Sequence, residues 1–98
     1  MQNDEGVPPC IGDLSFTVAE SALKALGKLP KGIRKKVTKC LKLYARHPNP
    51  PFHPSLAIHK YHLPEGGWVW QMYVDYSYRL WYQRTGRAVH IVYIGPHP

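Results

Sequence analysis

Arginine, histidine, lysine and tyrosine recur along the strand-like C-terminal half of the chain, at Lys60, Tyr73, Arg79, Arg84, His90 and His97. These side chains can act on a phosphate without a metal. RNA carries its own nucleophile, the 2′-hydroxyl. A protein then has to supply a base or hydrogen-bonding group to activate it, an acid for the leaving oxygen, and fixed positive charge at the phosphate. Arg79 stands among Tyr78, Leu80, Trp81 and Tyr82, surroundings in which a guanidinium needs a partner or a ligand. Trp68, Trp70, Trp81 and the strand tyrosines are able to stack on bases. A small sheet also needs such large side chains for its core, so stacking and packing both remain open.

Other chemistries find little support. Metal-dependent nucleases hold magnesium with clustered carboxylates, yet only Glu65 and Asp75 lie beyond the first twenty residues. His59-Lys60-Tyr61-His62 has the look of a metal motif, but on a strand His59 and His62 face opposite ways. There is no CxxC pair, GxSxG elbow or phosphate-binding glycine loop. Cys40 falls on the apolar stripe of a helical pattern, which points to packing rather than to nucleophilic catalysis. No metal and no cofactor are expected.

Charge narrows the partners. The chain has 98 residues, with 13 Lys and Arg against 6 acids and a net charge of +7. Asp4, Glu5, Asp13 and Glu20 put four of those acids in the first twenty residues, whereas Lys24 to Arg46 holds nine basic residues and no acid. Exposed helices usually interleave both signs. A one-sign block attracts phosphate polyanions, anionic surfaces or an acidic protein. A 44% hydrophobic content suits a globular chain, and the length suits one domain. No stretch approaches the roughly 20 apolar residues of a membrane helix, and the polar, acidic start is unlike a secretory signal. Cys10 and Cys40 read as reduced thiols, so a cytoplasmic protein without membrane association is expected.

Residues 1–12, with Pro8, Pro9 and Gly12, are expected to form a flexible arm, followed by a single domain over 13–98. Leu14 to Thr17 alternates as a short strand. Thr17 to Glu20 reads as a capping box before a helix that buries Ala22, Leu23, Leu26 and Leu29. Gly27 and Pro30 break that helix, and a second runs from about Lys31 to Arg46. It sets Ile33, Val37, Cys40, Leu41 and Tyr44 against a basic face that includes Lys35, Lys39 and Lys42. The proline-rich segment 47–54 is a loop. Strands are then expected over Ser55–Leu63, from Trp68 to the Asp75-Tyr76-Ser77 turn, over Tyr78–Arg84, and over Ala88–Ile94 after a Thr85-Gly86 hairpin. The layout is an α+β fold, β-α-α-β-β-β, with two helices on one face of a twisted, mainly antiparallel sheet.

Three segments in this order resemble the RelE/ParE toxin superfamily of bacterial type II toxin–antitoxin modules: Leu29 to Val37, Tyr78 to Gln83, and Val92 to His97. The resemblance spans about residues 13–97. It implies a RelE-like fold and a toxin whose activity is ribosome-dependent mRNA cleavage, held in check by an acidic antitoxin. A fold relative that binds without cleaving, or a ParE-like inhibitor of DNA gyrase, are the alternatives. Carried over by position, Arg79 matches the strand arginine that binds the scissile phosphate, and His97 matches the closing residue that moves a proton. The preceding strand offers Gln71 and Tyr73 where nuclease members use basic residues. Tyrosine donates a hydrogen bond but brings no positive charge at neutral pH. Lys60, Arg84 and the helix lysines Lys35, Lys39 and Lys42 are then the expected RNA contacts. Many relatives continue past the position of Pro98 with an aromatic residue and a short helix, so the chain reads as either a minimal or a truncated member.

Overall fold

A computed structural model describes residues 6–98. Strands β1 (Cys10–Ile11) and β2 (Leu14–Val18) lead into helices α1 (Glu20–Lys28) and α2 (Lys31–Arg46). A short 3₁₀ turn (Pro54–Leu56) precedes β3 (His59–His62), β4 (Trp68–Tyr73), β5 (Tyr78–Thr85) and β6 (Ala88–Pro96). All six strands form one sheet in the order β1-β2-β6-β5-β4-β3. Every pairing is antiparallel except β2 with β6, which is parallel. That parallel pair places both helices in the crossover between the first long strand and the rest, on one face of the sheet.

The α2 boundaries follow from local chemistry. Pro30 stands just before its first turn, where a missing N–H costs nothing, and His47-Pro48 ends it because the residue before proline disfavours helical backbone. Val37, Leu41 and Tyr44, at most 1% exposed, face the sheet. They meet Leu14 and Phe16 of β2, Met72 of β4, Leu80 and Tyr82 of β5, and Val89, Ile91 and Ile94 of β6 in one core. Ile91 and Ile94 both point inward although they are three residues apart. A bulge opposite Trp81/Tyr82 absorbs the extra residue, Val92. Beyond it, Tyr93 and Gly95 come into line with Trp81 and Arg79 on the other face.

Local expectations fail in four places. Thr17 does not cap α1. The cap is Ala19 with no side-chain bond, because Thr17 belongs to β2 and its Oγ1 lies 2.7 Å from Nδ1 of His90 on the parallel neighbour. Leu23, expected on the buried face, is 55% exposed. The strand expected over Ser55–Leu63 begins only at His59. Pro54 opens a 3₁₀ turn that drives Leu56 into the core, and Ala57 leaves it with a left-handed backbone, φ 45°. Of the arm expected over 1–12, the first five residues lie outside the described residues. The remainder is tied down: the Gly6 N–H donates to Oγ1 of Thr38, the Thr38 hydroxyl donates to the Gly6 carbonyl, and β1 pairs with β2.

Candidate functional site

The face of the sheet away from the helices presents His59 and Tyr61 of β3, Val69, Gln71 and Tyr73 of β4, Arg79 and Trp81 of β5, and Tyr93 and Gly95 of β6. Register aligns Tyr73, Arg79 and Gly95 across three neighbouring strands. His97 follows β6 at this same end, where its backbone N–H donates to the Ser77 carbonyl at 2.8 Å. Its ring is exposed, with Nδ1 2.9 Å from the Pro98 oxygen. Tyr73 and Arg79 thus share one end of the bare face, and the backbone of His97 reaches the same end.

Arg79 is held there by the β4–β5 turn. Its Nη1 donates to the carbonyls of Asp75 at 2.7 Å, Tyr78 at 3.0 Å and Tyr76 at 3.4 Å. The guanidinium lies 4.7 Å from the centre of the Tyr73 ring, a cation–π contact. All these bonds use Nη1. Among the described residues, the Nε–Nη2 edge that matches a phosphate in bidentate fashion meets no partner.

The turn is organised by Asp75, which the sequence marked only as a turn residue. Its carboxylate accepts from the backbone N–H groups of Ser77 at 2.9 Å and Tyr78 at 3.0 Å, and from Nζ of Lys36 at 3.2 Å. Partial desolvation pushes its pKa upward, but the two amides and Lys36 outweigh that and hold the carboxyl below its usual range. Asp75 therefore links α2 through its side chain to Arg79 through its carbonyl.

Gln71 plays a different part from the one expected. It is 3% exposed, and its amide is engaged on both sides. Oε1 accepts from Nε1 of Trp81 at 2.9 Å, and Nε2 lies 3.3 Å from Nε2 of His59. It cannot reach a substrate without giving up one of these bonds, so it supports the face rather than reacting on it. Trp81 in turn is sandwiched between Tyr61, with ring centres 4.8 Å apart, and Tyr93, at 4.5 Å. With both faces covered, Trp81 does not stack on a base. Tyr93 reaches back over Gly95, where an added Cβ would sit 2.8 Å from the tyrosine oxygen, and its hydroxyl donates to the Pro96 carbonyl at 2.6 Å. Burial, with Tyr61 alongside, keeps the Tyr93 hydroxyl protonated above its usual range.

Two expected RNA contacts lie elsewhere. Lys60 alternates to the helix side of the sheet, with Nζ 4.5 Å from the Trp68 ring centre and 5.9 Å from that of Trp70. Arg84 is an internal tie. Its Nε donates to the Gly86 carbonyl at 2.8 Å, and its Nη1 donates to the Pro48 carbonyl, to Oδ1 of Asn49 at 3.1 Å and to the Tyr44 hydroxyl at 3.3 Å. Lys35, Lys39 and Lys42 are exposed on α2, in the helix layer and away from the bare face. Lys39, Lys42 and Arg46 rim a groove of about 460 Å³ whose floor includes Cys40, Leu43, Leu56 and Val74. Burial and the nearby Asp75 carboxylate push the Cys40 thiol up to about 11, which leaves it un-ionised and unreactive at neutral pH. Among the described residues no three His, Cys, Asp or Glu side chains converge as metal ligands, and no helix is long and apolar enough to cross a membrane.

No family model matches the sequence, and no curated protein matches it. Solved structures do match the fold. The archaeal RelE–RelB complex from Pyrococcus horikoshii OT3 aligns with a TM-score of 0.66 at 16% identity, over 86% of this chain and 94% of that one. YafQ from E. coli strain BL21(DE3), and a mutant of YafQ from E. coli, each align with a TM-score of 0.64 at 15% identity, over 86% of this chain and 93% of theirs. The chain therefore has the RelE-like fold: α+β, with two helices on a six-stranded sheet.

Proposed function

We propose that this chain is the toxin of a toxin–antitoxin pair, a cytoplasmic endoribonuclease that cleaves mRNA on the ribosome without a metal. The observation that carries the reading is Tyr73 and Arg79 side by side at one end of the bare face, where the backbone of His97 also arrives, with the Nε–Nη2 edge of Arg79 open among the described residues. In this scheme the RNA 2′-hydroxyl attacks the adjacent phosphorus and the 5′-oxygen leaves. The products are a 2′,3′-cyclic phosphate and a new 5′-hydroxyl end. Arg79 binds the phosphate and stabilises the charge that develops there. His97 transfers a proton at the attacking or leaving oxygen. Tyr73 supports the guanidinium with its ring and offers its hydroxyl to a phosphate oxygen. Lys35, Lys39 and Lys42 provide the salt-sensitive attraction that brings RNA and ribosome to the protein.

The solved RelE neighbour is bound to RelB, and an acidic antitoxin is the corresponding proposal for this chain. A catalytically inactive binder of the same fold is the second reading. It is favoured by the engagement of Gln71 with Trp81 and His59, which leaves β4 only Tyr73 as a polar contributor to the site. Induction of the chain in bacteria separates the readings. Translation arrest with new mRNA 5′ ends is the expected result. DNA-damage signalling with intact mRNA would indicate gyrase as the target, and normal growth would indicate the inactive binder.

A further inference from the structure

The indole of Trp81 is only a hydrogen-bond donor, so the atom of Gln71 facing it must be the carbonyl oxygen. That fixes the orientation of the amide, and Nε2 of Gln71, itself only a donor, must face His59. Nε2 of His59 therefore accepts, and its proton sits on Nδ1, 3.1 Å from the Ala57 carbonyl oxygen that receives it. Every member of the chain Ala57–His59–Gln71–Trp81 is satisfied only while the imidazole is neutral.

We propose that neutral His59, acting through Gln71, is the positioning residue for Trp81, and that protonation of His59 releases the stack of Tyr61, Trp81 and Tyr93. A second proton on His59 would set two donors against each other. Rotating the amide of Gln71 to accept from His59 would move the conflict to Trp81. With Gln71 3% exposed, either arrangement sets a donor against a donor. The effect reaches the phosphate site by two short steps. Trp81 is two residues from Arg79 on the same face, and its partner Tyr93 covers Gly95, which pairs with Arg79. His59 itself is exposed on the edge strand, so solvent protons reach it. The titratable and charged groups facing it are Tyr61 on its own strand, Tyr73 on β4 and, across the Tyr73 ring, Arg79 on β5. Lys60 points to the opposite face. The Asp75 carboxylate is turned to Lys36 of α2.

The proposal concerns regulation of the site put forward above and rests on that reading for its functional meaning, but its test does not depend on cleavage. The Trp81 indole N–H resonance, identified by its loss in Trp81→Phe, is followed from pH 8 to pH 5 in the wild type and in His59→Gln. Glutamine keeps an acceptor near the position of Nε2 and cannot titrate. The expected result is a one-proton titration of the indole signal in the wild type, and a signal that holds near its high-pH position in His59→Gln. His59→Phe, which removes the acceptor, should show the low-pH signal at pH 8. A wild-type signal that does not move with pH, or one that titrates equally in His59→Gln, overturns the proposal. If neither wild type nor His59→Gln cleaves RNA while the indole titrates as described, the relay stands and the nuclease reading fails.

Discussion

At the level of single residues, the candidate site depends on how Arg79 is held as much as on its charge. A solvent-exposed arginine has many rotamers, and ordering it costs entropy. Here Nη1 is fixed by carbonyls of the β4–β5 turn, and the turn is fixed by the Asp75 carboxylate. Because that carboxyl is held below its usual range, its contribution to stability is fully present above the ordinary carboxylate value of about 3.9. It is lost as pH falls through the lower folded value. Asp75→Asn keeps an oxygen for the Ser77 and Tyr78 amides and loses the pairing with Lys36. Urea midpoints for wild type and Asp75→Asn should differ at pH 7 and converge toward pH 3. A difference that does not change with pH would remove the carboxylate from this role.

At the level of elements, what could be read from the sequence was what local periodicity encodes. The 3.6-residue pattern of Val37, Leu41 and Tyr44 gives α2 with its observed ends, and the two-residue pattern of β4 separates Trp70 and Met72 from Gln71 and Tyr73. The features it hid depend on contacts distant in sequence. Thr17 leaves its cap for His90, 73 positions away, and Arg84 is taken by Pro48 and Asn49, 36 and 35 positions away. Lys60 was misplaced because its face follows from the β3–β4 register, which pairs His59 with Gln71 and Lys60 with Trp70. The alignment of Tyr73 with Arg79 was legible, since one hairpin suffices to bring them together. The internal role of Arg84 gives a prediction at this scale. Arg84→Ala should destabilise the fold by about 0.5–1.5 kcal/mol, the usual net contribution of an intramolecular hydrogen bond, and leave RNA affinity unchanged. Lost affinity with unchanged stability would return Arg84 to the RNA surface.

At the level of the whole molecule, the helix lysines and the candidate site lie on two different surfaces. The helix layer carries Lys35, Lys39 and Lys42, and the bare face carries Tyr73 and Arg79. On this account the lysines attract RNA without taking part in its cleavage. Each phosphate neutralised steepens the dependence of affinity on salt. Charge reversal at Lys35, Lys39 and Lys42 should therefore weaken RNA binding and flatten its fall between ~50 and ~200 mM salt, with thermal unfolding preserved. Wild-type affinity that is the same at both salt concentrations would contradict a phosphate-binding helix.

The most direct test of the central claim is the rate at which purified protein cleaves ribosome-bound mRNA, compared between wild type and Arg79→Ala. Circular dichroism and thermal unfolding establish that the variant is folded. The loss of one preorganised donor to a developing oxyanion lowers a rate by about 10²–10³. The account predicts new mRNA 5′ ends with wild type and a loss of that size with Arg79→Ala. Cleavage by folded Arg79→Ala at the wild-type rate would place the chemistry somewhere other than the end of the bare face.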